Sequence, residues 1–414
     1  MKILAMAFRN ALRHRRRTLF TLLAMAIGLC CLTVFEGFIA SQMHGFRESV
    51  IRQGIGHIQI SVDAKYFESG EYNPYDYLIP NPEETARKLR AIPGVKYVIP
   101  KAGFTAIASF GDKSLPLLVD AYPSDLSCFV TNGESAWAKP LVLGKIVDGR
   151  GLADNLTNGL ILGRTAAKIL RAKAGSVVTV MGVLQGGGLN AMDMVVEGIF
   201  DSPGMDKNFG FIPFEAAKDF LGLASPPAFV VILSNTELTG AAYDQILKTA
   251  LPEGGKPDGV KRWSDLAPFY KQVNGMYEGF LGVIQAILLV ITVFVVVNTM
   301  TMSVFERMRE IGTLRSLGTT RAGIFLLLCT EGLLTGIAGS AAGIVLGFGT
   351  SALLNLGGGV PFPYQGETVR ILFRPELAAL LPGAAAVAFC AFAGAAIPAY
   401  RAVHTAVADS LRAV

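Results

Sequence analysis

Four long runs without charged residues constrain this chain more than any other feature of its sequence. The runs cover 18–35, 279–305, 322–366 and 377–400, and Glu331 is the only charged residue inside any of them. The hydrocarbon core of a membrane is about 30 Å thick, and roughly 20 apolar residues of helix cross it, whereas globular cores rarely contain runs of that length. With 51% hydrophobic and only 17% charged residues, the chain is therefore expected to contain four membrane-spanning helices.

The uncharged runs divide the chain into membrane and non-membrane segments. We predict spans at 18–40, 279–303, 322–350 and 376–398, a large segment at 41–275 and a short loop at 351–375. The predicted fold class is a membrane α-helical protein with four transmembrane helices and a large mixed α/β extracytoplasmic domain inserted between helices 1 and 2.

Basic residues predict the orientation of the spans. They are concentrated at 1–17, at 304–321 and in the tail, 399–414. Because cytoplasmic loops carry an excess of Lys and Arg, we expect both termini and the 304–321 segment in the cytoplasm, with 41–275 and 351–375 outside. The first of these basic segments also has apolar residues near helical period. It is either an amphipathic helix along the inner membrane face or a simple stop for the first span.

Several kinds of chemistry find no support in the residue patterns. No phosphate-binding sequence GxxxxGK[ST] occurs. Of the five cysteines only Cys128 falls in 41–275, and no Cys/His cluster has metal-ligand spacing. The four histidines are scattered, and we interpret each as a surface or packing residue. We therefore expect no catalytic residue, no metal, no cofactor bound by this chain and no nucleic-acid partner.

The first apolar run is longer than the core of a secretory signal peptide, which has roughly 7–15 residues. The sequence thus predicts that this run is an uncleaved membrane anchor.

The segment 41–275 has the alternation of strands and helices typical of a mixed α/β domain. Strands are predicted at 57–62, 95–98, 115–121, 177–181, 195–200 and 228–233, with a strand followed by a helix at 160–170. Asn81 is predicted to cap a helix that has Pro82 in its first turn and ends near Ala91.

Apolar stripes with helical spacing continue beyond the first two spans. They comprise Phe35, Phe38, Ile39 and Met43 after the first span, and Met276 and Phe280 before the second. We expect two helices to project from the membrane as stalks for the outer domain. The stripes must face something apolar, which is the other stalk, a second subunit or a hydrophobic cargo.

The short segment between the second and third spans predicts a helix from Phe305 to about Leu317, with Gly318 as its C-cap. Its apolar residues recur every third position and share one face: Met308, Ile311, Leu314 and Leu317. Such a helix either docks its apolar face into a groove on a cytoplasmic partner or rests on the lipid interface, and the residues leave both interpretations open.

The third span combines a glycine ridge with a buried charge. Gly339, Gly343 and Gly347 are spaced by four, which allows another helix to approach closely. Glu331 is an ionisable residue within the span and therefore marks a functional position. Glu36 lies near the outer end of the first span, where we expect it to reach water.

The segment 304–321 also carries a family resemblance. The run Glu306-Arg-x-Arg-Glu-Ile-Gly-x-Leu-Arg-x-Leu-Gly318 resembles the coupling helix of the FtsX/MacB/LolC-type permease superfamily, the type VII ABC transporters. Phe8–Arg13 and Ile397–Ala402 resemble the start and the C-terminal run of the same family. The residues that match the coupling motif are Glu306, Arg309, Glu310, Gly312, Leu314, Arg315 and Gly318.

The resemblance implies two permease subunits, identical or paralogous, on a dimer of cytoplasmic ATPase subunits that bind ATP and Mg. Closure of the ATPases moves the coupling helices and with them the stalks and outer domains, a mode of action called mechanotransmission. A glutamate at the position of Glu331 is common in the family, where it implies an interhelical hydrogen bond. Because the first span begins near residue 18, we expect the ATPase on a separate chain and a non-catalytic role for this one.

Within the superfamily, the outer segment resembles the lipoprotein-releasing, LolC/LolE-like permeases. The similar stretches are Gly54–Ile60, Ile161–Leu170, Gly175–Val180, Val195–Phe200 and Ile212–Ala216. This resemblance implies a bacterial inner-membrane protein that extracts lipoproteins, or similar lipidated or hydrophobic cargo, from the outer leaflet and passes them to a periplasmic carrier. The alternative is a subunit that activates a periplasmic partner enzyme or works with an efflux adaptor.

Overall fold

The computed structural model describes residues 15–70, 73–123, 145–152, 158–201, 207–364 and 367–404. They form two compact units: a membrane unit, which contains His44 and the residues before it together with Gln272 and the residues after it, and an outer unit, Gly45–Lys271. The predictions made for 1–14, for Cys128 and for 405–414 lie outside the described residues.

The helices of the described residues are numbered in chain order. They are α1 (Arg15–Val50), α2 (Tyr66–Ser69), α3 (Pro82–Arg90), α4 (Arg164–Leu170), α5 (Phe214–Leu221), α6 (Thr239–Thr249), α7 (Trp263–Leu266), α8 (Pro268–Glu306), α9 (Met308–Ser316), α10 (Arg321–Asn355) and α11 (Leu377–His404).

The strands are numbered in the same way. They are β1 (Ile58–Ile60), β2 (Val95–Phe110), β3 (Lys113–Tyr122), β4 (Lys145–Gly149), β5 (Gly159–Gly163), β6 (Val177–Val183), β7 (Leu189–Asp201), β8 (Phe209–Pro213), β9 (Ala228–Leu233), β10 (Val260–Arg262), β11 (Val360–Tyr364) and β12 (Glu367–Ile371).

Within the part of the chain that the structure describes, four helices are long and apolar enough to cross a membrane: α1, α8, α10 and α11. The outer unit, which contains β1–β10, is inserted between α1 and α8. The predicted fold class is therefore confirmed. Helix α1 continues without interruption to Val50 and α8 begins at Pro268, so both helices extend beyond their apolar spans as the stripes predict.

Helix α10 has close neighbours on two sides because glycines line both of them. The glycines that face α1 are Gly339, Gly343 and Gly347. A Cβ built on Gly343 would lie 2.7 Å from the backbone oxygen of Ala26 in α1, and one built on Gly332 would lie 2.8 Å from the backbone oxygen of Ala391 in α11. Lipid provides no hydrophobic drive for helices to associate, so close van der Waals packing of this kind holds such a bundle together.

Helix α8 joins the bundle mainly through its inner half, and Leu281 adds a partly buried contact from its outer half. Its buried residues are Leu288, Thr292, Val296, Met300, Ser303 and Val304, which recur every third or fourth position and so form one face. Between Pro268 and Ile287 no residue of α8 is buried.

The residues just before α11 hold the outer part of α1. A carboxylate oxygen of Glu36 accepts a hydrogen bond from the backbone N–H of Glu376 at 3.1 Å, and the carbonyl of Gly37 accepts one from the N–H of Arg374 at 2.9 Å. Glu36 is only 8% exposed. The expectation that it reaches water is therefore wrong, because a backbone amide satisfies its carboxylate inside the protein.

Six strands of the outer unit form a closed ring. β2 pairs with β3, β3 with β8, β8 with β5, β5 with β7 and β7 with β6, and β6 pairs back with β2. Apolar side chains of these strands form one buried cluster with α4 and α5, to which Phe104, Leu117, Val180 and Phe220 contribute. β4 pairs with the end of β7 and extends the sheet beyond the ring at that point.

The first half of β2 leaves the ring and enters a second sheet in the order β10-β1-β9-β2. Helices α3 and α6 share a buried cluster with this sheet, in which Leu89 and Ile246 are fully buried. Asn81 occupies the N-cap position of α3, as predicted, and its carbonyl accepts the Thr85 N–H at 3.1 Å. Its backbone is left-handed, with φ 47°, and its side chain makes no capping hydrogen bond, because the side-chain amide donates to Glu253 at 2.7 Å instead.

Gly343→Ala tests the packing of α10 on α1. The added methyl group would meet the backbone of Ala26, and backbone yields less readily than a side chain, so we expect a loss of about 1–3 kcal/mol in stability. Gly349→Ala on the same helix is the control, because a Cβ at Gly349 has no neighbour within 4 Å. The melting temperature of the purified full chain is the measurement, and an equal temperature for both variants would contradict the packing described.

Candidate functional site

The single helix that the sequence predicts at 305–317 is divided in the structure between the end of α8 and α9. Helix α8 ends at Glu306, Arg307 leaves helical geometry with φ −106° and ψ 16°, and α9 begins at Met308. A single helix from Phe305 to Leu317 is therefore wrong. After α9, Gly318 has φ +93°, a conformation that favours glycine and ends the helix as predicted.

The apolar face of α9 packs against its own chain. Ile311 is 4% exposed and belongs to a buried cluster with Ile324 and Leu328 of α10 and Ala399 of α11. Met308 and Leu314 pack against the same cluster, whereas Leu317 is 79% exposed. The inner ends of α10 and α11 therefore cover Ile311, whereas Met308 and Leu314 are half-buried and Leu317 is exposed.

The opposite face of α9 is polar and exposed. It presents Arg309, Glu310, Thr313 and Ser316 to the surroundings. Of the other residues in the coupling motif, Glu306 and Gly318 are also exposed, Leu314 and Arg315 are half-buried, and Gly312 is buried. Their assignment to ATPase coupling stays a prediction, and the exposed polar face is the part of α9 that a partner can reach.

Arg307 joins α9 to the interior of α10. Its Nη1 donates to a carboxylate oxygen of Glu331 at 3.2 Å, and its Nε donates to Glu310 at 3.3 Å. Both side chains of the Arg307–Glu331 pair are only 8% exposed. The partner of Glu331 is thus Arg307, which the sequence alone shows only as one of several basic residues at 304–321. The one sequence signal for the pair is the presence of an acid within an otherwise uncharged span, which needs a cation nearby.

A small polar cavity lies beside Glu331, between α1, α8 and α10. It has a volume of about 30 Å³, and hydroxyl groups of Thr18, Thr299, Ser303 and Thr335 contribute to its lining. This volume exceeds the roughly 10–15 Å³ that a water molecule requires, and the lining offers the polar partners that a buried water needs. The carboxylate of Glu331 therefore borders both Arg307 and a space with its own hydrogen-bonding groups.

The candidate cargo-contacting residues of the stalks differ in accessibility. Ile39 and Met43 are buried, at 6% and 7% exposure. The rings of Phe35 and Phe38 stack at 6.2 Å, and Phe38 also lies 6.1 Å from the ring of Phe373. Met276 and Phe280, in contrast, are 51% and 52% exposed. A cargo-binding role for this set remains a prediction, and in this conformation the α8 residues offer the most accessible apolar surface among the six.

The ends of α1 and α8 that belong to the outer unit meet in an aromatic cluster. The ring of Phe46 in α1 lies 6.0 Å from Phe269 and 5.6 Å from Tyr270 in α8, and Trp263 lies edge-on to Tyr270 at 4.8 Å. Aromatic pairs of this geometry contribute about 0.5–1.5 kcal/mol each beyond the area they bury. The two stalk helices thus contact each other where they enter the outer unit. Contact with the other stalk is one of the three possibilities that the sequence leaves open for the apolar stripes.

A chain of hydrogen bonds connects the C-terminal end of α1 to the second sheet. The backbone N–H of Leu233 donates to Nδ1 of His57 at 3.1 Å. Nδ1 must therefore be unprotonated, and Nε2 carries the hydrogen that is shared with Thr236 Oγ1 at 3.1 Å. Thr236 donates in turn to Glu48 at 2.8 Å. His57 is 5% exposed. It is therefore a buried residue, as a packing role predicts, but its two ring nitrogens also make specific hydrogen bonds that link α1 to β9.

The chain between α1 and β1 is a π-helical turn, Ile51–Ile55, whose carbonyls are bonded by side chains of the sheet. Tyr122 donates its hydroxyl hydrogen to the carbonyl of Gly54 at 3.0 Å, and the amide of Gln59 donates to Ile55 at 2.9 Å. Turns of this type occur frequently at functional positions.

Across the described residues, no group of three or more His, Cys, Asp or Glu side chains is arranged to hold a metal ion.

Comparisons with known proteins match both units. The family described as FtsX-like permease C-terminal matches residues 282–407, and the MacB-like periplasmic core domain matches residues 18–249. The uncharacterized ABC transporter permease YknZ of Bacillus subtilis is 24% identical over 381 residues, 86% of this chain and 87% of that protein. YvrN of the same organism, also an uncharacterized ABC transporter permease, is 23% identical over 372 residues, 86% of this chain and 88% of that protein. The macrolide export ATP-binding/permease protein MacB of Brucella abortus is 36% identical over 114 residues, 28% of this chain and 15% of that protein.

Thr236→Val tests the chain of hydrogen bonds between α1 and β9. The substitution leaves Glu48 and His57 without the hydroxyl they share, so we expect a loss of about 1–3 kcal/mol in local stability. Hydrogen–deuterium exchange of β9 in the full chain is the measurement, and it should become faster. Thr249→Val, at an exposed position of α6, is the matched control and should change the stability by less than about 0.5 kcal/mol. Equal exchange in the two variants would count against this chain of hydrogen bonds.

Proposed function

The chain belongs to the FtsX-like, MacB-type family of ABC transporter permeases, and we propose that it transmits the work of a separate cytoplasmic ATPase to its outer unit. The observation that carries this proposal is the arrangement of α9. Its apolar side is anchored on α10 and α11, and its polar side, which bears much of the coupling motif, is exposed. A partner that pushes on the polar side therefore moves the inner ends of α10 and α11 with it.

The charge distribution supports an orientation with α9 and both termini in the cytoplasm and the outer unit in the periplasm of a bacterial inner membrane. The basic clusters at 1–17 and 304–321 are the basis of this orientation.

We also propose the composition of the working assembly. Two permease subunits, identical or paralogous, act with two ATPase subunits, which bind ATP and Mg. The chain contains no GxxxxGK[ST] sequence, and a non-catalytic role for it follows from this arrangement. Its work is mechanotransmission, in which no solute has to cross a pore between the helices.

For the cargo we propose a lipoprotein or another lipidated, hydrophobic molecule taken from the outer leaflet and passed to a periplasmic carrier. The outer half of α8 supports this choice because it exposes Met276 and Phe280 and buries no residue before Leu288. Burial of an acyl chain contributes about 0.8 kcal/mol per CH₂ group, so a modest apolar surface can retain a lipid anchor.

The alternative function is activation of a periplasmic partner enzyme or cooperation with an efflux adaptor. The similarity to a MacB protein named for macrolide export favours the adaptor form of this alternative. Both functions use the same movement of the outer unit and differ in what that unit contacts.

Arg309→Glu tests the polar face of α9 as the ATPase contact. Reversal of an exposed charge on this face should weaken binding of the ATPase subunit at least about tenfold, which corresponds to ~1.4 kcal/mol. Co-purification with the partner ATPase, followed by titration of the two components, is the measurement. Arg87→Glu on the exposed face of α3 is the control and should leave binding unchanged. Equal affinity for both variants would refute α9 as the docking element.

A photo-crosslinking amino acid at Met276 tests the cargo proposal. In the assembled complex it should label a lipidated protein, because Met276 is exposed at the outer half of α8. The same amino acid at Val345 of α10, which is 70% exposed, is the control and should label bulk phospholipid only. If both positions label the same molecules, extraction of lipidated cargo is rejected in favour of the alternative.

A further inference from the structure

We propose that Arg307 is a positioning residue that transfers the displacement of α9 to α10 through a releasable ion pair with Glu331. The proposal rests on the function proposed above, since it names the residues through which the coupling element acts on the membrane helices. Arg307 is suited to the task by its place in the chain. It is the one residue between α8 and α9, and it contacts Glu310 on α9 and Glu331 inside α10 at 3.3 Å and 3.2 Å.

Stability alone does not account for this pair. Removal of two charges from water is costly, and apolar residues of similar volume often stabilise a protein as well as a buried ion pair does. Ile311, Met308 and Leu314 already fix α9 to α10 by apolar contact. The ion pair adds a connection that has a direction and that can be broken and remade.

The cavity beside Glu331 provides for the broken state. When Arg307 moves away with α9, the carboxylate of Glu331 still borders a cavity that has room for a water molecule and that Thr18 and Ser303 also line. The pair therefore has two arrangements that the protein can solvate, which is the physical requirement for an element that switches between states.

Helix α10 carries the displacement to the outer side of the membrane unit. It runs without interruption from Arg321 to Asn355. There the side-chain amide of Asn355 donates to the carbonyl of Phe373 at 2.7 Å and its oxygen accepts from the Phe373 N–H at 3.0 Å. The following residues are bonded to α1 through Gly37 and Glu36. The backbone amides of Phe373, Arg374 and Glu376 thus report whether α10 has moved relative to this loop.

Hydrogen–deuterium exchange of the complex with its ATPase, with and without ATP and vanadate, tests the proposal. In the wild type we expect nucleotide to change exchange in α9 and to change it at 373–376 by at least about threefold. The double variant Arg307→Gln with Glu331→Gln keeps hydrogen-bonding amides in place of both charges. It should retain the response of α9 and lose the response at 373–376.

Two further variants separate transmission from folding. Arg307→Lys keeps a cation near Glu331 and should therefore retain the response at 373–376. Lys88→Gln with Glu84→Gln removes an exposed ion pair of 2.8 Å in the outer unit and should leave both responses unchanged. A full response at 373–376 in the Arg307→Gln, Glu331→Gln variant overturns the role of the pair, whether or not that variant is less stable. If wild-type α9 itself shows no response to nucleotide, the proposed function fails instead.

Discussion

The close approach of α10 to its neighbours is the constraint on which the membrane unit depends. In lipid, helices gain nothing from hiding apolar side chains, so contact between backbones must supply the attraction. At Gly343 the backbone of α1 lies so close to α10 that a larger side chain would clash with it, and the same holds for α11 at Gly332. This packing places α10 at the centre, and it brings Glu331 within reach of Arg307 from one side and of the polar cavity from another. A side chain at either glycine would change the distance on which the ion pair depends.

The parts of this fold that a sequence can predict are those governed by local composition. The spans follow from uncharged runs, and the strands of the outer unit follow from apolar alternation, because both depend on residues adjacent in the chain. Contacts between distant residues carry no such signal. Periodicity shows that Ile311 lies on a face that becomes buried, but it does not reveal that α10 and α11 cover that face. Asn81 illustrates the same limit, since it occupies the predicted N-cap position but its side chain donates to the distant Glu253.

The candidate site was likewise only partly accessible from the sequence. The family resemblance identified α9, and the cost of a charge within a span identified Glu331. The sequence does not distinguish Arg307 from the other basic residues at 304–321, because only the break between α8 and α9 turns its side chain inward. The hydrogen bonds through His57 were missed for a related reason, since Glu48 and Thr236 are far apart in the chain. In both cases the hydrogen bond joins elements whose proximity is decided by the fold.

The continuity of β2 has a consequence for how the outer unit responds to force. This strand has 16 residues, of which the first half pairs with β9 and the second half with β3 and β6. At about 3.3 Å per residue it spans roughly 50 Å, and it belongs to the second sheet and to the ring alike. The strand exchanges one partner for the other between Lys101 and Ala102, so the two parts are joined there by the covalent backbone of β2. A load on one part of the outer unit would therefore reach the other along a single continuous strand.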